Sequence, residues 1–425
     1  MGFDMVVALN QADVQGCTLF GLNYHGAHRH RPVPRRFVAA VHAPDEVLRF
    51  GDLHLPQVRR TCTVLGMQPA ETWGLTHGIN EHRVVAGFCR WQSKLAAENT
   101  GLTGADLVRL TLERSQSARQ ALDVVTDLVC RHGQRSLPDG DDNGDCIFLV
   151  ADAREAFVVE TAGRHWASLE CRQTRAVSDV GLIRQDWRRL SPGLAEQAIS
   201  RGWWADDGSK LDLAGCLAVP TAQTPWALKR WGKATLQLEQ QHGHIDAFFL
   251  RRMLCDHFDA SARTSPTRDG PTRLLGSFLA VLPADARTVP MAWYAFGSGN
   301  SPLFLPLLIP GDLPAALDPR HARPSPAKSF DAVVSRVDTL LSSAERSPAA
   351  REVIDRLQAR IDLETDEFVQ EARELLVQGN NVQVARLAGV LMQRHWELLE
   401  AEEQRTQSPR EPATVGQTDT AVFAG

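Results

Sequence analysis

Residues 3–23, FDMVVALNQADVQGCTLFGLN, carry the reading that decides the architecture. MVVAL (5–9) and CTLFGLN (17–23) are short apolar runs of strand length. Between them lies NQADVQG (10–16), a spacer of turn-forming residues. Two strand-like runs around such a spacer predict a β-hairpin close to the N-terminus, with its first strand buried.

The pattern continues through HGAHRHRPVPRR (25–36), a basic loop broken by prolines. Two helices follow. Thr103 opens TGADLVRLTLER with Asp106 in capping-box position, and Ser117 opens SARQALDVVTDLVCRHG with Gln120 likewise. Gly133 is the expected stop. Leu122, Val125, Leu128 and Val129 keep helical spacing and form a core face. After the loop SLPDGDDNGD (136–145), CIFLVADAREAFVVETAG (146–163) reads as two strands around a turn at Asp152–Glu155, and HWASLECR (165–172) as a third. Strands, two helices, then strands again, without regular βαβ alternation, predict an α+β fold of antiparallel sheets covered by helices.

DPRHARPSPAKS (318–329) marks a change of composition. The expected division is a domain over 1–318, a proline-rich linker over 319–329, a helical extension over 330–403 and a disordered tail over 404–425. In the extension, Val353, Leu357, Ile361, Phe368, Ala372 and Leu375 make one apolar stripe, continued by Val384, Leu387, Leu391, Trp396 and Leu399. That stripe needs a partner, either the body or a second copy of the chain, so a homo-oligomer through these helices is one expectation.

A net charge of −5 over 425 residues gives no electrostatic footprint for nucleic acid. No apolar run approaches the ~20 residues of a membrane helix, and no charged leader precedes an apolar stretch. Gly2 is not followed by the Ser or Thr of a myristoylation signal. The eight cysteines are scattered, without a CxxC pair, and read as reduced thiols, most of them buried. A cytoplasmic protein without nucleic-acid or membrane partners is the expectation.

Six stretches, in order, resemble one family: VVALNQADVQGCTLFGLN, WGLTHGINEH, GADLVRLTLERSQSARQALDVVTDLV, FLVADAREAFVVETAGRHWA, AISRGWW and SPLFLPLLIP. They cover most of residues 3–310, and SPAKSFDAVVSRVDTLL with FVQEARELL extends the match into the tail. The family is that of the secernins and cysteine dipeptidases, within the N-terminal nucleophile (Ntn) hydrolase superfamily. The resemblance implies a four-layer αββα sandwich and no cofactor. It also implies a cysteine at the opening of the first strand, whose freed α-amine acts as base to its thiol.

Set on the family's motifs, this chain departs at each catalytic position. Phe3 stands where the nucleophilic cysteine is implied, in Phe3-Asp4-Met5. His25 replaces the orienting aspartate in Gly21-Leu22-Asn23-Tyr24-His25-Gly26. Phe88 follows Gly87 where an oxyanion-hole asparagine is implied, and Asp179 follows Ser178 in place of a further asparagine. A phenyl ring donates nothing to an oxyanion, and a carboxylate opposes one. The expected function is therefore a degenerate hydrolase that binds or scaffolds, with a peptide or small amide as ligand and Asn23, His25, Asn80 and Asp179 as binding residues. The alternative is an active cysteine dipeptidase or amidase with an unidentified nucleophile or a mis-assigned N-terminus. His25 and Asp179 approach the former site from different strands, where the expectation is a charge pair, direct or through one bound water or ligand, with His25 in the basic loop and Asp179 in solvent as the alternative. Asn80, Glu81, His82, Glu160 and Gly202-Trp203-Trp204 match the family and read as packing and loop-fixing residues.

Other constellations carry less. His25, His28 and His30 form one close group and His242 and His244 a second pair, but set among arginines they read as solvated basic loops, so no metal site is expected. Cys255 and His257 are too close in a helix to face each other as a dyad. GSGN (297–300) reads as a turn.

Overall fold

The computed structural model describes residues 2–26, 31–69, 72–95, 100–136, 144–222, 225–256, 265–267, 270–296, 303–318 and 326–407. The expected hairpin is formed by β1 (Gly2–Ala8) and β2 (Thr18–Gly26), with Asp4 opposite Asn23 and Met5 opposite Leu22. Next come β3 (Val33–Phe37), the small hairpin β4 (Val47–Phe50) and β5 (Leu53–Pro56), and then β6 (Val64–Gln68), β7 (His77–Asn80) and β8 (Val85–Arg90). Helices α1 (Gly104–Arg114) and α2 (Ala118–His132) precede the meander β9 (Cys146–Ala151), β10 (Ala156–Ala162) and β11 (His165–Cys171). Strands β12 (Thr174–Val177) and β13 (Arg189–Leu190) lead into helices α3 (Leu194–Ser200), α4 (Leu213–Leu217), α5 (Pro225–Gln240) and α6 (Ala247–Cys255). Strands β14 (Ser265–Thr267), β15 (Gly270–Leu282), β16 (Met291–Phe296) and β17 (Leu305–Pro306) complete the sheets. Helices α7 (Pro326–Arg346), α8 (Pro348–Val377) and α9 (Asn381–Gln407) follow.

The first sheet has the order β12-β1-β2-β15-β16-β17, with β14 paired to β15. The second runs β13-β11-β10-β9-β8-β7-β6-β3. All the strand pairings described within both sheets are antiparallel. One core cluster joins the inner faces, with Met5 and Leu22 from the first sheet and Ile79, Val85 and Cys89 from the second. Gly87 lets them close: a Cβ there would stand 2.9 Å from Leu22 and 3.1 Å from Met5. A second cluster puts Phe88, Phe148 and Val159, on the outer face of the second sheet, under Leu107, Val108, Leu122 and Val125 of α1 and α2. Helices α5 and α6 cover the outer face of the first sheet. The layer order is thus helix, sheet, sheet, helix, as expected for an αββα sandwich.

The helix boundaries follow their caps. Thr103 Oγ1 accepts from Asp106 N at 3.1 Å, and the Asp106 carboxylate accepts from Thr103 N at 3.0 Å. Ser117 Oγ accepts from Gln120 N, but the Gln120 side chain reaches Gln116 N rather than the cap itself. Gly133 ends α2 at φ +72°, a conformation that favours glycine.

The C-terminal helices share the body's core: Phe330, Val334, Ile354, Leu357, Ile361, Phe368, Ala388 and Met392 belong to the cluster that holds Leu308 and Trp293. Arg251 of α6 ties to Asp362 of α8 at 2.7 Å. Leu357, Ile361, Phe368, Ala372, Val384, Trp396 and Leu399 of the expected stripe are buried, Leu375 is half-buried, and the buried position shifts by one residue at three places. Ile354 rather than Val353, and Ala388 and Met392 rather than Leu387 and Leu391, are the fully buried positions. The chain passes close to α9 at Gly311: a Cβ there would meet Gly389 N at 2.5 Å and Ala388 C at 2.8 Å, so position 311 takes a glycine. The helical part begins at Pro326 and runs to Gln407. Residues 319–325 of the expected linker and 408–425 of the expected tail lie outside the described residues. Among the described residues no helix is long and apolar enough to cross a membrane.

Thr103→Ala should lower stability by about 1–2 kcal/mol, because it removes a cap and a partner of the buried Asp106 together. Urea unfolding checks this, and an unchanged midpoint would show that the cap contributes nothing.

Candidate functional site

Strand alternation decides which side chains meet. Asp4 and Asn23 oppose each other in the β1–β2 ladder, and His25 lies two residues on along β2, on the same face. That face is the outer one. A Cβ on Gly21 would meet Val6 and Leu254 of α6, which puts the whole row, Gly21, Asn23 and His25, under the helices. Asn23 Nδ2 donates to Leu254 O at 2.9 Å, and its Oδ1 accepts from Ser277 Oγ of β15 at 2.7 Å.

Asp4 is the hub. Arg230 of α5 lays Nε between its oxygens, 2.9 Å from Oδ1 and 2.8 Å from Oδ2. Ser178, just past β12, donates Oγ to Oδ1 at 2.7 Å, and His25 Nε2 stands 3.2 Å from Oδ2. Arg230 Nη2 then reaches Asp179 Oδ2 at 3.1 Å. The side chains of Asp4 and Arg230 are 18% and 13% exposed. Burial by itself would raise the Asp4 pKa. The Arg230 guanidinium, with His25 and Ser178 after it, outweighs burial and holds the carboxyl far below the usual carboxylate range. Arg230 is also buried, but its two carboxylates hold it above its ordinary value.

Cys89, on the inner face of β8, reaches the same network. Its Sγ donates to Ser178 O at 3.2 Å. Burial first, then the carboxylates of Asp179 and Asp4, push this thiol well above its ordinary pKa. At neutral pH it is a thiol, not a thiolate.

The structure corrects several expectations. His25 and Asp179 do not pair: His25 meets Asp4, and Arg230 takes Asp179. An arginine from a separate helix sits where the sequence suggested direct contact. Phe88 does not join the site, because strand parity turns it outward, 6.1 Å from Phe148 and against Gly104 of α1. Its neighbour Cys89 faces the site instead. Asn80 is engaged within the β7–β8 turn and with α1, away from Asp4. Its buried Nδ2 donates to Leu112 O and Ser115 O, and its Oδ1 accepts from His82 N and Val84 N. Asn23 lies on the site's face but is engaged by α6 and β15. Phe3 enters through its backbone, opposite Tyr24; its side chain lies outside the described residues. The same holds for His28, His30, His257 and residues 297–300. Glu160 is loop-fixing as expected, accepting from Leu182 N and Ile183 N, while burial pushes its pKa up to about 7.

Arg230 and Cys89 escaped the sequence reading. Arg230 stands in an ordinary amphipathic stretch, PWALKRWGKATL, with no local signal. Cys89 follows Phe88 by one residue, and only the facing of β8 separates them.

Between the sheets, beside the Phe3–Tyr24 pair, lies a cavity of about 20 Å³ lined by Tyr24, Met67, His77, Tyr294 and Phe296 among others. It has room for about one water molecule. His77 bonds Thr76 Oγ1 at 3.1 Å, and burial lowers its pKa to about 3, so it is a weak base.

These layers and this network define an antiparallel αββα sandwich with an ion-paired head to its first strand. The chain matches no protein-family model. Among solved structures it is similar to penicillin V acylase from Agrobacterium tumefaciens (TM-score 0.42, 12% identity, 72% of this chain and 86% of that one). It is also similar to a mutant form of conjugated bile acid hydrolase from Clostridium perfringens (0.41, 11%, 72% and 92%). A third is the Caenorhabditis elegans N-acylethanolamine-hydrolyzing acid amidase ortholog (0.30, 14%, 65% and 91%). The likeness is distant, and the fold assignment rests on the strand pairing and layers themselves.

The depressed Asp4 pKa fixes a pH dependence. Its stabilisation is present above the unfolded value of about 3.9 and is lost as pH falls toward the folded value. Asp4→Asn should cost about 2–4 kcal/mol at pH 7, with the deficit shrinking below pH ~4. Urea unfolding of both proteins across that range tests it; an equal deficit throughout would mean that the charge on Asp4 plays no part.

Proposed function

We propose that this chain is a secernin- and dipeptidase-like member of the Ntn hydrolases that has lost peptide-bond hydrolysis and acts by binding. The observation that supports this most is the state of the thiol beside the network. Attack on an amide needs a thiolate, or a thiol with a base in hydrogen-bond reach. Cys89 instead donates to a backbone carbonyl, with two carboxylates nearby that disfavour its ionisation. Both oxygens of Asp4 are engaged, so it is a poor proton acceptor. Phe3 has no nucleophilic atom. Cys17 belongs to the far end of the hairpin, where burial and Asp13 raise its pKa too.

A peptide or small amide would meet the network at the partly exposed His25 and Asp179, since the inter-sheet cavity of about 20 Å³ is too small for one. The apolar stripe that motivated self-association through the C-terminal helices is taken up by the body. No step of this reading uses a cofactor or a nucleic acid, and a cytoplasmic setting suits its free thiols.

Purified protein should hydrolyse dipeptides no faster than buffer, and Cys89→Ser and Cys17→Ser should leave that background unchanged. Turnover abolished by either substitution in a folded protein would establish the active cysteine amidase instead.

A further inference from the structure

A second polar cluster lies at the opposite end of β8 from Cys89, outside the network above. We propose that Cys62, Glu81 and His82 form a site for a divalent transition-metal ion of zinc-like preference. Cys62 Sγ, a Glu81 carboxylate oxygen and a His82 ring nitrogen all lie within 4.8 Å of one another. Tetrahedral zinc with bonds of 2.0–2.3 Å spaces its ligand atoms by about 3.3–3.8 Å. The closure needed is at most about 1.5 Å, and the side chains of Glu81 and His82 are exposed, with the His82 ring able to turn toward the other two.

The backbone holds the three together. Glu81 and His82 form the tip of the β7–β8 turn, whose base is the buried Asn80. The Asn80 side chain grips the turn through His82 N and Val84 N, and grips the end of α1 through Leu112 O and Ser115 O. Arg83, next to His82, takes φ +64°, the single positive φ outside glycine among the described residues. Glu81 Oε1 accepts from Thr63 N at 2.9 Å, which ties the carboxylate to the residue after Cys62 and leaves its other oxygen for an ion. Cys62 N in turn donates to Glu113 O at 2.8 Å. These are the orienting contacts that metal ligands need behind them.

The chemistry of the donor set agrees. The His82 ring makes no hydrogen bond with the described residues. Cys62 Sγ has one long contact, 3.6 Å to Ser115 O, and that carbonyl keeps Asn80 as donor when the thiol proton goes. A bound dication replaces the thiol proton, which passes to solvent, and the resulting thiolate and carboxylate balance its charge. Thiolate and imidazole with a carboxylate are zinc and cobalt ligands, not calcium ligands. Three protein ligands leave the fourth position to water.

Cobalt(II), added to the reduced full-length chain, is the probe. One equivalent should give a thiolate-to-cobalt charge-transfer band, and zinc should bleach it by displacement. Cys62→Ser should remove the band, and the exposed His82→Ala should weaken binding by more than the roughly 10–100-fold that loss of an outer contact costs. Cys130→Ser, at an exposed thiol elsewhere, should change nothing. A chain that gives no band, or one whose band survives Cys62→Ser or whose affinity survives His82→Ala, would overturn the site. The surface position of His82 keeps that last arm informative even if Cys62→Ser folds poorly.

Discussion

The two-residue period of a β-strand is the constraint on which the rest depends. In β1 it sends Met5 inward against Gly87 and Asp4 outward under α5, one peptide apart. In β8 it sends Cys89 inward and Phe88 outward. Shifting either strand by one residue would put a carboxylate into the apolar core or an apolar side chain in the arginine's place. The Met5–Gly87 approach favours this register, because a side chain at 87 would have to displace the ends of Leu22 and Met5 between the sheets.

Given that register, the polar head of β1 follows from charge. Asp4 leaves water, and a lone buried carboxylate would be neutralised or would unfold its surroundings. Arg230 supplies the opposite charge on Nε and extends Nη2 to Asp179, so one guanidinium serves two carboxylates. With neutral His25 the three charges sum to −1, and with protonated His25 the cluster is neutral. The planar fork of arginine suits this bridging; lysine would offer a point charge to one acceptor.

Local chemistry made much of the fold legible. The hairpin, the Thr103–Asp106 cap, the Gly133 stop and the three-stranded meander all depend on residues within a few positions of each other, and they fall where the sequence put them. The site was less legible for the opposite reason. Arg230 meets Asp4 across 226 residues, and nothing in its own helix marks it. Sequence could place Phe88 and Asn80 near motif positions but could not tell which face of the strand or which side of the turn each side chain takes. His25 and Asp179 were placed at the right end of the sheet and given the wrong partners, because the residue between them comes from elsewhere in the chain.

The two ends of β8 show how hydrogen-bond saturation separates structure from chemistry. At one end Asp4 of the neighbouring β1 accepts on both oxygens and Cys89 directs its S–H at a carbonyl, so the carboxylate is neutralised by its own partners and the sulfur stays protonated. Such a network resists disruption, since removing one partner strands the others in a poorly solvated place. At the other end the backbone is just as firmly held, through Asn80, but the side chains it presents are not. His82 keeps both ring nitrogens and Glu81 keeps an oxygen, beside a thiol with one long contact. Rigid support under unspent donor atoms is the condition for binding an ion, and consumption of those atoms by internal partners is the condition for inertness. The fold meets each condition on one strand.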